Sequence, residues 1–296
     1  MDLALTINGW IDEDVIFAQQ LGARQVFAQV DNSQGTSPGW DRQSLARLAN
    51  RIEKAGLVLA GLHATGTPPR GERLEETPAD AVAFHAAAWV VHLAQEAGAA
   101  RIGFLSLSAA LFTERRSAEN SITARLAPLA EAAAQAGVKL AIPLAPLLKE
   151  YPGGQSQGHP ITPERLLHSL PPSAGLDGSP GLLLDWLQNT APGSNPRQMI
   201  QDRLCLVSFE HERRPGSRSG GKLNGAGFDE LLSVCWCLRQ AGFAGLIRLG
   251  RPAQWKGDTR EGHQARAFTT GYLRAVLQAF QSGHAPLRAG EGTPAA

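Results

Sequence analysis

The chain has 296 residues, 43% of them hydrophobic and 19% charged, with a formal net charge of +1. That length and composition suit a single large soluble domain and exclude a disordered or fibrous chain. A near-neutral balance gives no reason to expect a nucleic acid or an anionic membrane surface as partner. The arginines Arg213, Arg214 and Arg218 share one Gly/Ser-rich loop without interleaved aromatics, which reads as a surface or active-site loop.

Eight short apolar runs follow one another along the chain, each leading through a loop into an amphipathic stretch. They are Leu3–Ile7, Gln25–Gln29, Leu57–His63, Arg101–Leu105, Val138–Pro143, Gly181–Asp185, Leu204–Glu210 and Ala244–Leu249. The first helix follows Asn8-Gly9-Trp10. The second spans Asp41 to Ala55, with Asp41 as N-cap and Gly56 as its close. The third runs from about Pro78 to Ala97 with Thr77 as cap, and the fourth ends near Ala136. A short helix begins near Thr162, another covers Phe228–Gln240, and the last runs from Glu261 to about Phe280. Repeated strand–helix units predict a parallel sheet wrapped by helices, and eight of them close a (β/α)8 TIM barrel over residues 1–282. The Gly/Pro/Ala tail, 283–296, reads as disordered.

Three cysteines, Cys205, Cys235 and Cys237, make neither a disulfide framework nor a zinc pattern, so core filling is expected. No secretory or transit signal and no apolar run of spanning length is seen, which points to a cytoplasmic protein.

A barrel places its chemistry at the carboxyl ends of the strands and in the loops that follow. The polar residues there are Asn8, Gln29, Asp31, His63, Ser106, Asp185, Gln188, Glu210, His211, Glu212, Arg213, Arg248 and Arg251. Asp185 closes an apolar run and either carries a carboxylate into the mouth or caps the next loop. His211 stands between two carboxylates, where an imidazole can shuttle protons or hold a metal. Glu210 and Arg213 beside it are either site residues or a surface charge cluster. Arg248 and Arg251 suit a carboxylate or phosphate, because the guanidinium fork matches two oxygens. His63 ends the third strand as an acid/base or hydroxyl-contacting group, and Trp10 offers an aromatic wall. His85 and His92, within an apolar helix, read as packing or surface residues.

Several stretches resemble the mannonate dehydratases within the xylose isomerase-like barrels. They are Leu48–Leu62, Ser208-Phe209-Glu210-His211-Glu212-Arg213, Gly227-Phe228-Asp229 and Thr270–Gln278. The resemblance implies removal of water from a sugar acid, helped by manganese or magnesium held by strands five to eight. His211 matches the strand-seven histidine, and Asp185 falls where the family uses a cysteine and the wider superfamily an aspartate. The strand-five His-Pro-Asp-Asp-Pro pattern reads Ile142-Pro143-Leu144-Ala145-Pro146 here, and the strand-eight Asp-His pair falls at Leu249-Gly250 or Gly250-Arg251. Aliphatic side chains cannot donate a lone pair to a cation. The expectation is therefore a carbohydrate lyase or isomerase type of barrel with a degenerate metal site. Asp185, His211 and His63 would be its acid/base groups, and Arg248, Arg251, Arg213, Glu210 and Trp10 its substrate contacts. Asp185 and His211 would be the ligands if a metal binds. A catalytically silent barrel that binds a sugar-like ligand or supports a partner subunit is the alternative, and a homo-oligomer is compatible with either.

Overall fold

The computed structural model describes residues 1–31, 41–65, 79–108, 122–144, 170–180, 183, 196–209, 228–250 and 259–281. The strands are β1 (Asp2–Ile7), β2 (Gln25–Asp31), β3 (Val58–Thr65), β4 (Phe104–Leu107), β5 (Lys139–Pro143), β6 (Gly175–Gly178), β7 (Leu204–Phe209) and β8 (Leu246–Leu249). All pair in parallel, and β8 pairs back onto β1 to close the barrel. The described helices are α1 (Asp12–Gln20), α2 (Arg42–Lys54), α3 (Ala79–Ala99), α4 (Ile122–Gln135), α5 (Pro196–Arg203), α6 (Phe228–Gln240) and α7 (Thr259–Gln281). The (β/α)8 expectation is met.

Local chemistry explains the helix ends. Asp41 accepts the Ser44 backbone N–H at 2.7 Å, which satisfies one free donor of the first turn of α2. Past its end, Gly56 takes φ +71°, the left-handed geometry that lets Leu57 N–H return to the Ile52 carbonyl. The apolar stripe Leu45, Leu48 and Ile52 of the same helix is fully buried against the sheet.

Strand six departs from the sequence expectation. The apolar run Gly181–Asp185 is not the strand; the sheet instead uses Gly175-Leu176-Asp177-Gly178. In the expected run, Leu183 is described and fully buried, and its N–H donates to the Ser179 carbonyl four residues back, which is a helical turn. Its side chain packs on β6, where a Cβ on Gly178 would lie 2.7 Å from Leu183 Cδ1. Leu183 thus covers the strand, and the glycine-rich segment forms it.

Alternation along each strand divides the barrel interior into two levels. The floor is apolar: Ala4, Phe27, Ala141, Leu206 and Leu246 are buried together, with Phe104 packed against them. The Phe27 and Phe104 rings lie 6.2 Å apart. Gly61 of β3 makes room for both: a Cβ there would lie 2.8 Å from Phe104 Cβ and would run into the Phe27 ring. A larger core, Leu5, Val26, Ile52, Leu62, Leu93, Leu140, Val207 and Ile247 among it, fills the space between sheet and helices.

The cysteines behave as filler. Cys205 and Cys235 are buried free thiols, and burial pushes each up to about 12, so neither forms a thiolate near neutral pH.

Gly61→Ala should destabilise the domain by about 1–3 kcal/mol through overpacking of the floor. The urea midpoint should fall while the slope of the transition stays that of the wild type.

Candidate functional site at the barrel mouth

Two residues further along the strands, above the apolar floor, the interior turns polar. Every strand but β5 contributes: Thr6 of β1, Gln29 of β2, His63 of β3, Ser106 of β4, Asp177 of β6, Ser208 of β7 and Arg248 of β8. The pairing register sets them side by side, with Gln29 opposite His63, His63 opposite Ser106, and Ser208 opposite Arg248. On β5 the corresponding positions are Ala141 and Pro143, paired with Ser106 and Asp177. The ring lies at the carboxyl ends of the strands, the face on which barrels carry their chemistry.

Arg248 is 1% exposed, so its charge must be met inside the protein. Its Nε donates to Ser208 Oγ at 2.9 Å and its Nη1 to Thr6 Oγ1 at 3.2 Å. Its Nη2 stands 3.6 Å from Asp177 Oδ2. Asp177 Oδ2 also accepts the Ser208 hydroxyl at 2.7 Å and the Ser106 hydroxyl at 3.1 Å. Ser106 Oγ lies 3.2 Å from His63 Nδ1. Six side chains from six strands therefore form one continuous network, with a single negative and a single positive charge.

His63, buried, stays neutral: desolvation first and the Arg248 charge second hold its pKa well below the usual 6.5. Gln29 adds a satellite contact, its Nε2 donating to Thr65 Oγ1 at 3.2 Å. The loop after β1 is tied down beside the mouth. Asp14 Oδ2 accepts the Asn8 N–H at 2.8 Å, and Asn8 Oδ1 accepts the Trp10 N–H at 3.1 Å. Trp10 is half-buried against the edge of the main core. A second buried arginine, Arg266 of α7, donates to the Thr6 carbonyl and lies over the Phe17 ring of α1 at 5.7 Å. It binds the last helix to the first strand and first helix.

Of the residues expected from the sequence, the structure brings His63, Ser106 and Arg248 into one network and places Gln29 next to them. Trp10 is in the loop that borders it. Asp185, Glu210, His211, Arg213 and Arg251 lie outside the described residues. Three members of the network were not anticipated: Thr6, Asp177 and Ser208. The carboxylate that strand six supplies is Asp177, not Asp185.

The donor set can be tested against the divalent ion that the resemblance implies on strands five to eight. The described positions offer Ala141 and Pro143, Asp177, Ser208 and Arg248: one carboxylate, one hydroxyl and one permanent cation. No group of three His, Cys, Asp or Glu among the described residues could hold a metal ion. The one carboxylate is already shared by two hydroxyls and a guanidinium. At about 4 Å and an effective dielectric of about 20, a divalent ion and that guanidinium would repel by roughly 8 kcal/mol. The described residues do not fit the ion.

Comparison with known proteins adds the fold. No family model matches the chain, and no curated protein sequence matches it. Among solved structures, D-psicose 3-epimerase with D-tagatose from Clostridium cellulolyticum H10 is 12% identical, with a TM-score of 0.58 over 94% of this chain and 99% of that one. A xylose isomerase domain protein from Planctomyces limnophilus is 14% identical, with a TM-score of 0.57 over 94% and 98%. The mannonate dehydratase from Streptococcus suis serotype 2 is 15% identical, with a TM-score of 0.53 over 100% and 98%. These likenesses show a shared (β/α)8 barrel fold. No helix among the described residues is long and apolar enough to cross a membrane.

Two outcomes follow from the network. Asp177→Asn strands the buried guanidinium and should cost about 3–5 kcal/mol, whereas Asp177→Asn with Arg248→Met should recover much of that loss, because the charge leaves with its partner. A double-mutant cycle by chemical denaturation measures the coupling. The second concerns pH. In the unfolded chain His63 regains its ordinary pKa of about 6.5, above its folded value. Between the two, the unfolded chain binds a proton that the folded chain does not, so this contribution to stability is complete above about pH 6.5 and is lost as the pH falls. Relative to His63→Gln, the wild type should lose up to ~1.4 kcal/mol per pH unit below that point.

Proposed function

We propose that this chain is a carbohydrate isomerase- or lyase-type barrel, mannonate dehydratase-like in substrate class, acting on a sugar acid or related polyol without a full divalent-metal cage. The observation that carries the reading is Arg248, buried inside the mouth on β8 beside Asp177. The resemblance expects a metal ligand on that strand, and the chain has a cation there instead. The solved neighbours support the substrate class: a 3-epimerase and a mannonate dehydratase make changes at carbons of a sugar and of a sugar acid.

Such reactions begin with removal of a proton from a carbon beside a carbonyl or carboxylate, and they need a base and something positive for the oxygen that gains charge. His63, neutral and at the mouth, is the base or acid in this reading. Arg248 is the positive group facing the developing oxyanion. Asp185 and His211 are further acid/base candidates. Arg213 and Arg251 are the candidates for a substrate carboxylate, since the charge of Arg248 is already balanced by Asp177. Glu210 and Trp10 would contact hydroxyls and the sugar face.

A silent barrel that binds a sugar-like ligand is favoured by one observation. The Arg248–Asp177 pair is satisfied internally and both side chains are nearly inaccessible, at 1% and 4%. Thermal shift with hexonates, hexuronates and ketohexoses separates the two, because binding without turnover is the signature of the silent form.

The panel should include at least one substrate whose turnover is unchanged by a chelator. On it, His63→Gln should lower kcat by about 10²–10⁴-fold with KM changed little. Turnover that requires added manganese or magnesium would refute the metal-poor reading, and neither binding nor turnover with any member would refute the substrate class.

A further inference from the structure

The described hydrogen bonds at the mouth, with Asp177 ionised, have one consistent direction. A guanidinium donates and never accepts, and an ionised carboxylate accepts and never donates. Ser208 takes the Arg248 Nε–H, so its own hydroxyl proton goes to Asp177 Oδ2, 2.7 Å away. Ser106 has one hydroxyl proton as well, and the Asp177 oxygen at 3.1 Å claims it. Were that proton turned to His63, the Ser106 and Asp177 oxygens would face each other with no hydrogen between them. Ser106 Oγ therefore has only lone pairs left for His63 Nδ1, 3.2 Å away. The imidazole must supply the proton, so Nδ1 bears hydrogen. In a neutral ring the second nitrogen, Nε2, then holds the lone pair.

We propose that Asp177 and Ser106 form a hydroxyl-bridged relay that holds His63 in its Nδ1–H form and makes Nε2 the proton-accepting atom of the mouth. Ser106 and Asp177 are positioning residues; of the three, only His63 would meet substrate. The inference rests on the functional reading only for the identity of the proton donor. A substrate C–H or O–H gives its proton to Nε2, the bonding electron pair stays on the substrate, and the imidazolium so formed returns the proton later in the turnover. Nothing is oxidised or reduced, and no further reactant is required. A direct Asp–His pair would place the full carboxylate charge on the ring nitrogen. The inserted hydroxyl instead transmits orientation while the carboxylate charge stays with Arg248, in keeping with a neutral resting imidazole.

The test is the tautomer itself. Long-range ¹H–¹⁵N correlation spectra of the full chain, with the His63 signals assigned by their loss in His63→Gln, distinguish a hydrogen-bearing ring nitrogen from a lone-pair one. The wild type should show hydrogen on Nδ1 at about pH 7.5, where an ordinary histidine is neutral. Ser106→Ala should move the ring wholly or partly to the Nε2–H form, and Ser106→Thr, which keeps the hydroxyl, should restore it. On any substrate the panel yields, Ser106→Ala should lower kcat about tenfold or more and Ser106→Thr much less. Hydrogen on Nε2 in the wild type, or a tautomer indifferent to Ser106→Ala, would overturn the relay whatever the activity. An Nδ1–H ring in a protein that turns over no sugar would leave the relay standing and remove the functional reading.

Discussion

The Asp177 carboxylate is the group on which the mouth is organised. It is the acceptor at which two chains of donors end, one running from Arg248 through Ser208 and the other from His63 through Ser106. A buried guanidinium without such a partner would be prohibitively costly to desolvate. The pair in turn fixes what surrounds it. Both serine rotors are oriented, Thr6 is drawn to the guanidinium, and His63 has no net negative charge left to raise its affinity for a proton. One shared oxygen thus sets rotamers and protonation on six strands.

The architecture was legible because its signal is repeated. Seven of the expected apolar runs overlap the observed strands, and Asp41 and Gly56 bound α2 as a cap and a close should. β6 failed for a physical reason. Strand propensity reports how side chains fill a pleated, half-buried surface, and glycine contributes nothing to it. Yet β6 needs small residues, because Cys205 presses against Gly175 and Leu183 against Gly178. Tertiary crowding selected the glycines, and Leu183, from the run that looked like the strand, covers it.

The site was legible in part, and parity explains which part. His63, Ser106, Gln29 and Arg248 are polar residues within apolar runs at strand ends, so a search for polar strand ends finds them. Thr6 and Ser208 occupy equivalent places, but a threonine or serine inside a strand is unremarkable until the register sets it beside an arginine. Asp177 was hidden with its strand. From the sequence, Arg248 was expected only as a guanidinium suited to a substrate carboxylate or phosphate. That position is the penultimate residue of β8, so alternation turns it inward and the barrel wall encloses it. Distance from the strand end in sequence is a poor guide to exposure when one residue reverses the face.

Stability alone does not account for this ring. A buried ion pair is often no better than well-packed apolar residues of the same volume, and replacing one commonly leaves a protein equally or more stable. This barrel already has such an apolar level immediately below, built from Phe27, Phe104, Leu206 and Leu246, and β5 carries apolar residues up to the level of the ring. Continuing that packing upward would have been the simpler way to close the mouth. A charged pair, three hydroxyls and a neutral imidazole held there in one donor sequence instead produce, among the described residues, a group of fixed polarity with almost no net charge. In the proposed function, such a group would recognise a ligand by hydrogen-bond direction more than by charge. On that reading polyhydroxylated ligands would be favoured over simple anions, and a substrate that brings a carboxylate would need cationic groups outside the balanced pair.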